Sequence, residues 1–298
     1  MSRGKPTVLA LGTFDGVHRG HQAILSTALT RAKQMSGRAV AFTFDRHPLA
    51  VLNPAQCPPL ITTTKEKEEL IRRHGIEEVC LVSFDREFAA VTPAGFVERY
   101  LVQQFQAKGV VVGFDFSFGH RATGKVDLLQ SLADQHQFEL MVVQPVTSGD
   151  IVISSTAIRN HLLAGDVRRA AEFLGYPFFL RGQVVPGEGR GRQLGFPTAN
   201  LACPPGKLIP GLGVYAVQAN LHGDFFPGLL AISSRPTFAS QGDVTIELFI
   251  DGFNGDLYDE VIEVSLVERL RGIRRFPSAN ALQEQMERDR LAARQILR

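Results

Sequence analysis

The stretch LGTFDGVHRGH, residues 11–21, decides the fold class of the first half of this chain. It follows a short apolar run at residues 7–10, and it precedes residues 22–29, whose apolar positions repeat at helical spacing. The stretch is therefore a turn from a strand into a helix. Its glycines let the backbone approach a ligand closely, and the free N–H groups at a helix start favour an anion such as phosphate.

His18 and His21 lie about one turn apart at the start of this helix, so they share a face. Both can donate hydrogen bonds to phosphate oxygens and stabilise charge that develops during phosphoryl chemistry. Two alternatives stay open: incidental surface histidines beside a glycine-rich turn, and two ligands of a metal site. No cysteine or carboxylate cluster in the nearby sequence completes a metal ligand set.

Length and composition narrow the class of protein. The 298 residues suffice for two domains, and 44% hydrophobic with 21% charged residues is ordinary for a globular protein. A net charge of +2 speaks against nucleic-acid binding driven by bulk charge. Three widely spaced cysteines suggest no disulfide framework, and neither a signal peptide nor an apolar run of about 20 residues is present. We therefore expect a cytoplasmic protein.

Strand-like runs alternate with helical patterns up to residue 176, which predicts βαβ units and a mainly parallel sheet. Ligands of such sheets bind at the carboxyl ends of the strands, where residues 11–21 lie. The predicted strands are 7–12, 39–44, 79–82, 110–112 and 139–143, and the predicted helices include 65–74, 93–106, 128–136 and 166–174.

Two further stretches of this half carry chemistry. The rings of GFDFSFG, residues 113–119, are either core or the walls of a slot for a flat ring such as flavin or adenine. The stretch GHRATGKV, residues 119–126, nearly matches a P-loop, but Val126 replaces the hydroxyl residue that a P-loop needs for magnesium. In ISSTAIR, residues 153–159, a hydroxyl side chain can cap a helix, and Arg159 opposes the helix dipole, which suggests that it meets an anion.

Taken in order, GTFDGVHRGH, FTFDRHP, GFDFSFG and ISSTAIR resemble the FMN adenylyltransferase module of bacterial bifunctional riboflavin kinase/FAD synthetases. The resemblance implies a Rossmann-like α/β nucleotidyltransferase domain in which both histidines act in catalysis. It implies that Asp115 helps to shape the flavin or nucleotide pocket. The ATP-binding residues that it implies are Gly12, Phe14, Gly16, His18, His21, Ser155, Thr156 and Arg159.

From residue 177 onward the pattern changes to short strand-like runs punctuated by proline and glycine. Such a pattern without intervening helices predicts a small antiparallel barrel. An amphipathic helix at residues 278–297, capped by Ser278, is predicted to end the domain. The predicted strands are 178–185, 213–219, 229–233, 244–250 and 261–267.

Three features of this half carry chemistry. The glycine-rich basic turn at residues 187–192 is by itself a weak signal, typical of a hairpin loop. Thr198 and Asn200, positioned by a proline, can offer oxygen ligands to Mg²⁺, or they form an ordinary turn. Glu247 shares a strand face with Phe249 and can take the proton of a substrate hydroxyl, or it faces solvent.

The segments GRQLGFPTANL, GVYAV, RPTF, TIE and GDLY resemble, in this order, the riboflavin kinase domain of the same enzymes. The resemblance implies a six-stranded barrel. It implies that Gly195, Thr198 and Asn200 bind ATP, the last two with Mg²⁺, and that Glu247 is the general base. The positions that depart from the usual pattern of that family include Ser233, Phe249 and Asp259, and also Phe253 and Asn254.

We therefore predict an adenylyltransferase domain at residues 1–176 and a kinase domain at 177–298. Riboflavin and ATP give FMN and ADP, and FMN and ATP then give FAD and pyrophosphate, with Mg²⁺ shielding phosphate charge in both steps. The expected partners are these small molecules, with no nucleic acid and no membrane. Two alternatives are an adenylyltransferase whose barrel is a flavin-binding or regulatory module, and a non-catalytic flavin or nucleotide sensor.

Overall fold

The computed structural model describes residues 5–187, 195–234 and 244–297. By its contacts the chain divides into two compact units, Met1–Ser155 and Thr156–Arg298, here called unit 1 and unit 2. This division falls one residue into the helix at Ser155–Ala164, so it assigns the last two helices of the predicted first domain almost entirely to unit 2. The domain boundary at residues 176/177 stays a prediction about independent folding.

Unit 1 contains a five-stranded sheet of order β3-β2-β1-β4-β5, in which every neighbouring pair is parallel. The predicted parallel sheet is therefore confirmed. The chain leaves β1 towards β2 on one side and later adds β4 on the other side, so the strand order reverses at β1. Ligands of open parallel sheets bind at such a reversal. The strands are β1 Thr7–Leu11, β2 Arg38–Phe44, β3 Glu78–Val82, β4 Ala107–Gly113 and β5 Glu139–Val143.

Helices pack against this sheet, and a small hairpin of β6 and β7 follows β5. The short helices at residues 48–52 and 86–89 were not predicted. The elements are α1 Arg19–Gln34, α2 Pro48–Leu52, α3 Thr64–Arg73, α4 Arg86–Ala89, α5 Pro93–Phe96, α6 Val126–His136, β6 Thr147–Ser148 and β7 Ile151–Val152.

The helix predicted at residues 93–106 has the expected position but a different geometry. It is α-helical over Pro93–Phe96 and continues as a π-helix over Val97–Gln104. The N–H of Phe105 donates to the carbonyl of Tyr100, five residues earlier. This wider turn lets Phe96, Leu101 and Phe105 all reach the core, although the first two are five residues apart.

Unit 2 contains a closed barrel of order β10-β11-β12-β9-β8-β13 with antiparallel neighbours throughout, as predicted. The sixth strand, β9, occupies residues after Pro197 for which a turn was one of the expectations. The elements, including a helix that begins at the last residue of unit 1, are α7 Ser155–Ala164, α8 Val167–Leu174, β8 Phe179–Val185, β9 Thr198–Ala202, β10 Gly213–Leu221, β11 Asp224–Ser234, β12 Val244–Ile250, β13 Val261–Arg271 and α9 Ala279–Ile296.

The terminal helix α9 covers one face of the barrel. The Ser278 hydroxyl accepts the N–H of Ala281 at 3.2 Å, so the predicted cap is confirmed. Ala293 is buried in an apolar cluster that includes Val214 and Phe249 of the barrel. Ion pairs at buried carboxylates add to this packing, because Asp251 pairs with Arg290 and Arg294, and Asp289 pairs with Arg271.

Candidate active sites

The turn after β1 has an unusual backbone. Phe14 and Val17 have φ values of 52° and 36°, in the left-handed region, and both side chains are buried. Non-glycine residues pay about 1–3 kcal/mol for such conformations, so surrounding contacts must maintain them. Gly16, with φ 84°, takes a similar conformation without a side-chain clash.

Asp15 provides those contacts. Its buried carboxylate accepts the backbone N–H groups of Ile61 at 3.3 Å and Thr62 at 3.0 Å. The Thr62 hydroxyl in turn accepts the N–H of Gly16 at 3.0 Å. On another side, the Ser155 hydroxyl donates to the Asp15 carbonyl at 2.9 Å. These bonds hold the turn and bring Ser155, a predicted ATP-binding residue, against it.

His18 is the N-cap of α1, and its ring lies parallel to that of His21. Its Nδ1 accepts the N–H of His21 at 3.4 Å, and the two ring centroids are 3.6 Å apart. Because Nδ1 accepts in this bond, Nε2 is the ring nitrogen that can donate to a ligand. A Cβ at Gly20 would lie 3.1 Å from the His18 ring, so the glycine makes room for it.

His21 has a buried ring nitrogen, Nδ1, that finds no hydrogen-bond partner within the described ranges. Burial first, and then the charges of His18 and Lys67, lower the pKa of His21 well below its ordinary value. The ring is therefore neutral at pH 7. A buried polar atom without a partner costs about 1–3 kcal/mol, which is a common mark of a site that receives a ligand.

Lys67 was not among the predicted site residues. It lies in the first turn of α3, where Thr63 and Glu66 form a capping box, and it is only 7% exposed. Its Nζ donates to the carbonyls of Phe44 at 2.7 Å and Thr13 at 3.3 Å. The capping box can be read in the sequence, and it places Lys67 near the start of a helix. A cation there opposes the helix dipole, as Arg159 does at the start of α7.

The loop after β4 lies beside the turn after β1, because the two strands are neighbours. Phe118 is in the core and Phe116 packs against it, so the core interpretation holds for these two rings. Phe114 is 45% exposed, and Asp115 is exposed too. The slot interpretation therefore concerns Phe114, and the structure places it with Asp115 at the reversal of strand order.

The remaining predicted residues of the first site, Thr156 and Arg159, follow Ser155 in α7 and belong to unit 2. The Arg159 side chain is 8% exposed. Gly12 lies at the start of the turn, where a Cβ would be 3.1 Å from the Phe14 ring. A side chain at this position would therefore require the Phe14 ring to shift by a few tenths of an ångström.

In the barrel, Thr198, Asn200 and Glu247 lie on one face of two neighbouring strands. Glu247 of β12 is paired with Asn200 of β9, and Phe249 is paired with Thr198. Directly paired residues of antiparallel strands have side chains on the same face, with Cβ atoms about 4.5–5.5 Å apart. The structure thus brings together three residues that lie up to 49 positions apart in the chain.

Glycines surround this second site. A Cβ at Gly187 would lie 1.8 Å from Nδ2 of Asn200, so the amide lies directly on the backbone at that position. Gly195 has φ 76°, and a Cβ there would meet no atom of the described residues within 4 Å. Residues 188–192 of the predicted basic turn and the RPTF segment, residues 235–238, fall outside the described residues.

Three of the positions that depart from the family pattern, Phe249, Ser233 and Asp259, have local roles in unit 2. Phe249 is buried and packs edge-to-face on Phe196, with ring centroids 5.0 Å apart. The hydroxyls of Ser233 and Thr245 are hydrogen-bonded at 2.8 Å. Asp259 has φ 66°, a conformation that glycine adopts without strain.

Comparisons with known proteins agree with both halves of this picture. A family model for FAD synthetase matches residues 1–157, and a model for riboflavin kinase matches residues 174–297. The chain belongs to the bifunctional riboflavin kinase/FMN adenylyltransferase family. It is an enzyme, a transferase of FMN and FAD biosynthesis, so the predicted family and the double activity are confirmed.

Individual relatives carry the same name along almost their whole length. The Bifunctional riboflavin kinase/FMN adenylyltransferase of Listeria monocytogenes is 37% identical over 95% of this chain and 90% of its own. That of Bacillus subtilis is 35% identical over 96% and 91%, and that of Escherichia coli K12 is 36% identical over 97% and 92%.

A solved structure resembles the whole fold. A crystal structure described as a macrolide-efflux protein from Streptococcus pneumoniae has a TM-score of 0.90 at 33% identity, covering 99% of this chain and 95% of its own. In the part of the present chain that the structure describes, no helix is long and apolar enough to cross a membrane.

Proposed function

We propose that this enzyme transfers the adenylyl group at the turn after β1 and phosphorylates riboflavin on the barrel face of β9 and β12. One observation supports the assignment more than any other. The His18–His21 pair lies in a unit matched by FAD synthetase, whereas the facing Asn200 and Glu247 lie in a unit matched by riboflavin kinase. Each set of candidate residues therefore falls in the unit whose family has the corresponding reaction.

In the adenylyl transfer, a phosphate oxygen of FMN attacks the α-phosphorus of ATP, a new P–O bond forms, and the bond to pyrophosphate breaks. His18 Nε2–H and the neutral His21 ring donate to phosphate oxygens, and the start of α1 adds partial positive charge. Gly12, Phe14 and Gly16 shape the turn around the nucleotide.

The other ATP-binding residues of this first site come from the start of α7. Ser155, Thr156 and Arg159 bind phosphate oxygens, with the planar guanidinium suited to two oxygens at once. Asp115 and the exposed Phe114 line the pocket for the flavin or the adenine ring.

In the kinase reaction, the primary hydroxyl of riboflavin attacks the γ-phosphorus of ATP, and ADP leaves. Glu247 accepts the hydroxyl proton as the new P–O bond forms. Gly195, which has no side chain and a positive φ, lets the backbone come close to the nucleotide.

The donor set of the barrel fits Mg²⁺ that arrives with the nucleotide. Thr198 and Asn200 offer neutral oxygens from one face of β9, and Mg²⁺ in kinases takes most other ligands from water and substrate phosphates. If bound there, Mg²⁺ would supply positive charge beside the transferred phosphate. No three His, Cys, Asp or Glu side chains cluster as metal ligands within residues 5–187, 195–234 and 244–297. We further propose that the enzyme works in the cytoplasm on riboflavin, FMN and ATP.

The test is an assay of the purified chain with Mg²⁺, ATP and riboflavin, in which FMN and FAD are separated by chromatography. We expect both products with riboflavin, and FAD alone when FMN is supplied. FAD from FMN without any phosphorylation of riboflavin would instead support the adenylyltransferase with a regulatory barrel. Flavin binding without either product would support the sensor.

A further inference from the structure

Lys67 is a buried cation next to the first site that none of the roles above includes. Its two hydrogen-bond acceptors are the last carbonyl of β2, at Phe44, and the carbonyl of Thr13 in the turn after β1. The Thr43 hydroxyl donates to that same Thr13 carbonyl at 3.0 Å. Among the described residues, no carboxylate lies within ion-pair distance of the Lys67 ammonium.

The nearest acidic side chains have other partners. Asp15 accepts from backbone groups at residues 61 and 62, and Asp45 accepts from Arg46, Ser83 and the N–H of Phe84. Burial lowers the pKa of Lys67 to about 8, and these two carboxylates only partly oppose that effect. At pH 7 most molecules therefore carry a buried positive charge that is not neutralised by an ion pair.

We propose that Lys67 is a positioning residue of the adenylyl-transfer site, which holds the turn through Thr13 and attracts the nucleotide phosphates with its charge. The proposal rests on the function assigned to unit 1. An anionic ligand supplies the compensation that the protein does not, so the cost of burying the ammonium becomes affinity for the ligand.

The structural and electrostatic contributions of Lys67 can be separated by pH. A neutral amine keeps two N–H donors, as many as the two carbonyls that it contacts, so deprotonation removes the charge and leaves the hydrogen bonds. The charged and titratable groups around it are His18 and His21 of α1, Asp15, Asp45, and Glu66 of its own helix. Carboxylates and imidazoles ordinarily titrate below pH 7.5.

The experiment compares Lys67→Met, Lys67→Arg and the matched control Lys65→Met, which removes the same charge from an exposed position of the same helix. The KM for ATP and kcat are measured for FAD formation from FMN between pH 7.5 and 9.5. In the parent and in Lys65→Met, we expect the KM for ATP to rise about 5–10-fold across this range as a charge near the phosphates is lost. In Lys67→Arg we expect the KM for ATP to stay low at every pH. In Lys67→Met we expect it to be about tenfold higher than in the parent already at pH 7.5, with no further rise.

Riboflavin phosphorylation in the same samples is expected to be unchanged, which shows that the protein is folded and active. A pH profile of Lys67→Arg that rises like that of the parent would overturn the proposal, even where Lys67→Met fails to fold. So would a Lys67→Met enzyme with the KM of the parent. If the parent makes no FAD, the proposed function is wrong instead, and calorimetric titration of the same variants with ATP, expected to show about tenfold weaker binding for Lys67→Met, tests the charge by itself.

Discussion

Two basic side chains of unit 1 interact, yet only one is charged at pH 7. His21 is neutral because burial and the neighbouring charges lower its pKa, whereas Lys67, with a pKa of about 8, is mostly protonated. A neutral His21 also agrees with its stacking on His18, with ring centroids 3.6 Å apart, because two imidazolium rings so close would repel each other. The positive charge of this pair is thus carried by Lys67, whereas His21 is a neutral ring.

His21→Ala is expected to reduce FAD formation about 10²–10³-fold and to leave riboflavin phosphorylation unchanged. The His21 Nδ1 has no partner in the described structure, so its loss breaks no hydrogen bond at that atom. Both half-reactions are measured by steady-state kinetics, with the thermal unfolding of parent and variant compared. Equal loss of both activities in a protein that remains folded would contradict the assignment of separate sites.

Glu247→Gln is expected to lower the rate of riboflavin phosphorylation by at least ~10²-fold, because the amide cannot accept the hydroxyl proton. Riboflavin binding changes little, since the amide keeps the shape of the side chain, and FAD synthesis from supplied FMN is unaffected. Glu260→Gln, an exposed carboxylate of the same unit, is the matched control. A kinase rate within a few-fold of the parent would remove Glu247 from the mechanism.

At the scale of elements, the sequence predicts those helices and strands whose apolar residues recur at a regular spacing. The five parallel strands and the terminal helix are visible because their apolar residues repeat at strand or helix spacing. Strand β9 is not, because TANLA is short and its pairing with β8 and β12 is set by distant residues. The π-helix at residues 97–104 is missed because burial of its side chains, not local propensity, selects it.

Strand pairing also explains which site residues could be found in the sequence. Glu247 and Asn200 could each be proposed from local pattern, but that they face each other depends on register. Lys67 was missed because a lysine two residues after another lysine reads as a solvated helix face, and only the fold shows that it is buried.

Gly187→Ala tests the contact between Gly187, two residues after the end of β8, and the Asn200 amide of β9. The added methyl would lie 1.8 Å from Asn200 Nδ2, so the side chain must move away. We expect kcat/KM of the kinase reaction to fall about 10–100-fold, since displacement of a positioned group by 1 Å has effects of this size. Gly272→Ala is the control, because among the described residues its methyl meets only Arg269, at 4.0 Å. Equal kinetics of the two variants would show that the amide position is not critical.

At the scale of the whole molecule, the family matches and the division into units assign α7 and α8 differently. The family matches end at residue 157 and resume at 174, whereas the contacts assign both helices to unit 2. There the carbonyl of Leu162 accepts the N–H of Gly211 at 2.9 Å, and Arg269 donates to the carbonyl of Ala164 at 3.2 Å. The sequence pattern changes at residue 177, but the contacts place the unit boundary before these two helices. Both helices contain buried apolar residues.

The unit boundary can be measured with two fragments, residues 156–298 and 177–298. Both contain β9 and β12, so we expect both to fold and phosphorylate riboflavin. The shorter fragment lacks α7 and α8, and with them the burial of Leu162, Phe173 and their neighbours. Burial of one such side chain is worth about 1.5–3 kcal/mol, so we expect the unfolding midpoint of 177–298 to be roughly 10 °C lower by circular dichroism. Equal midpoints would place the boundary at 176/177, and an unfolded shorter fragment beside a folded longer one would make the two helices a required part of the kinase unit.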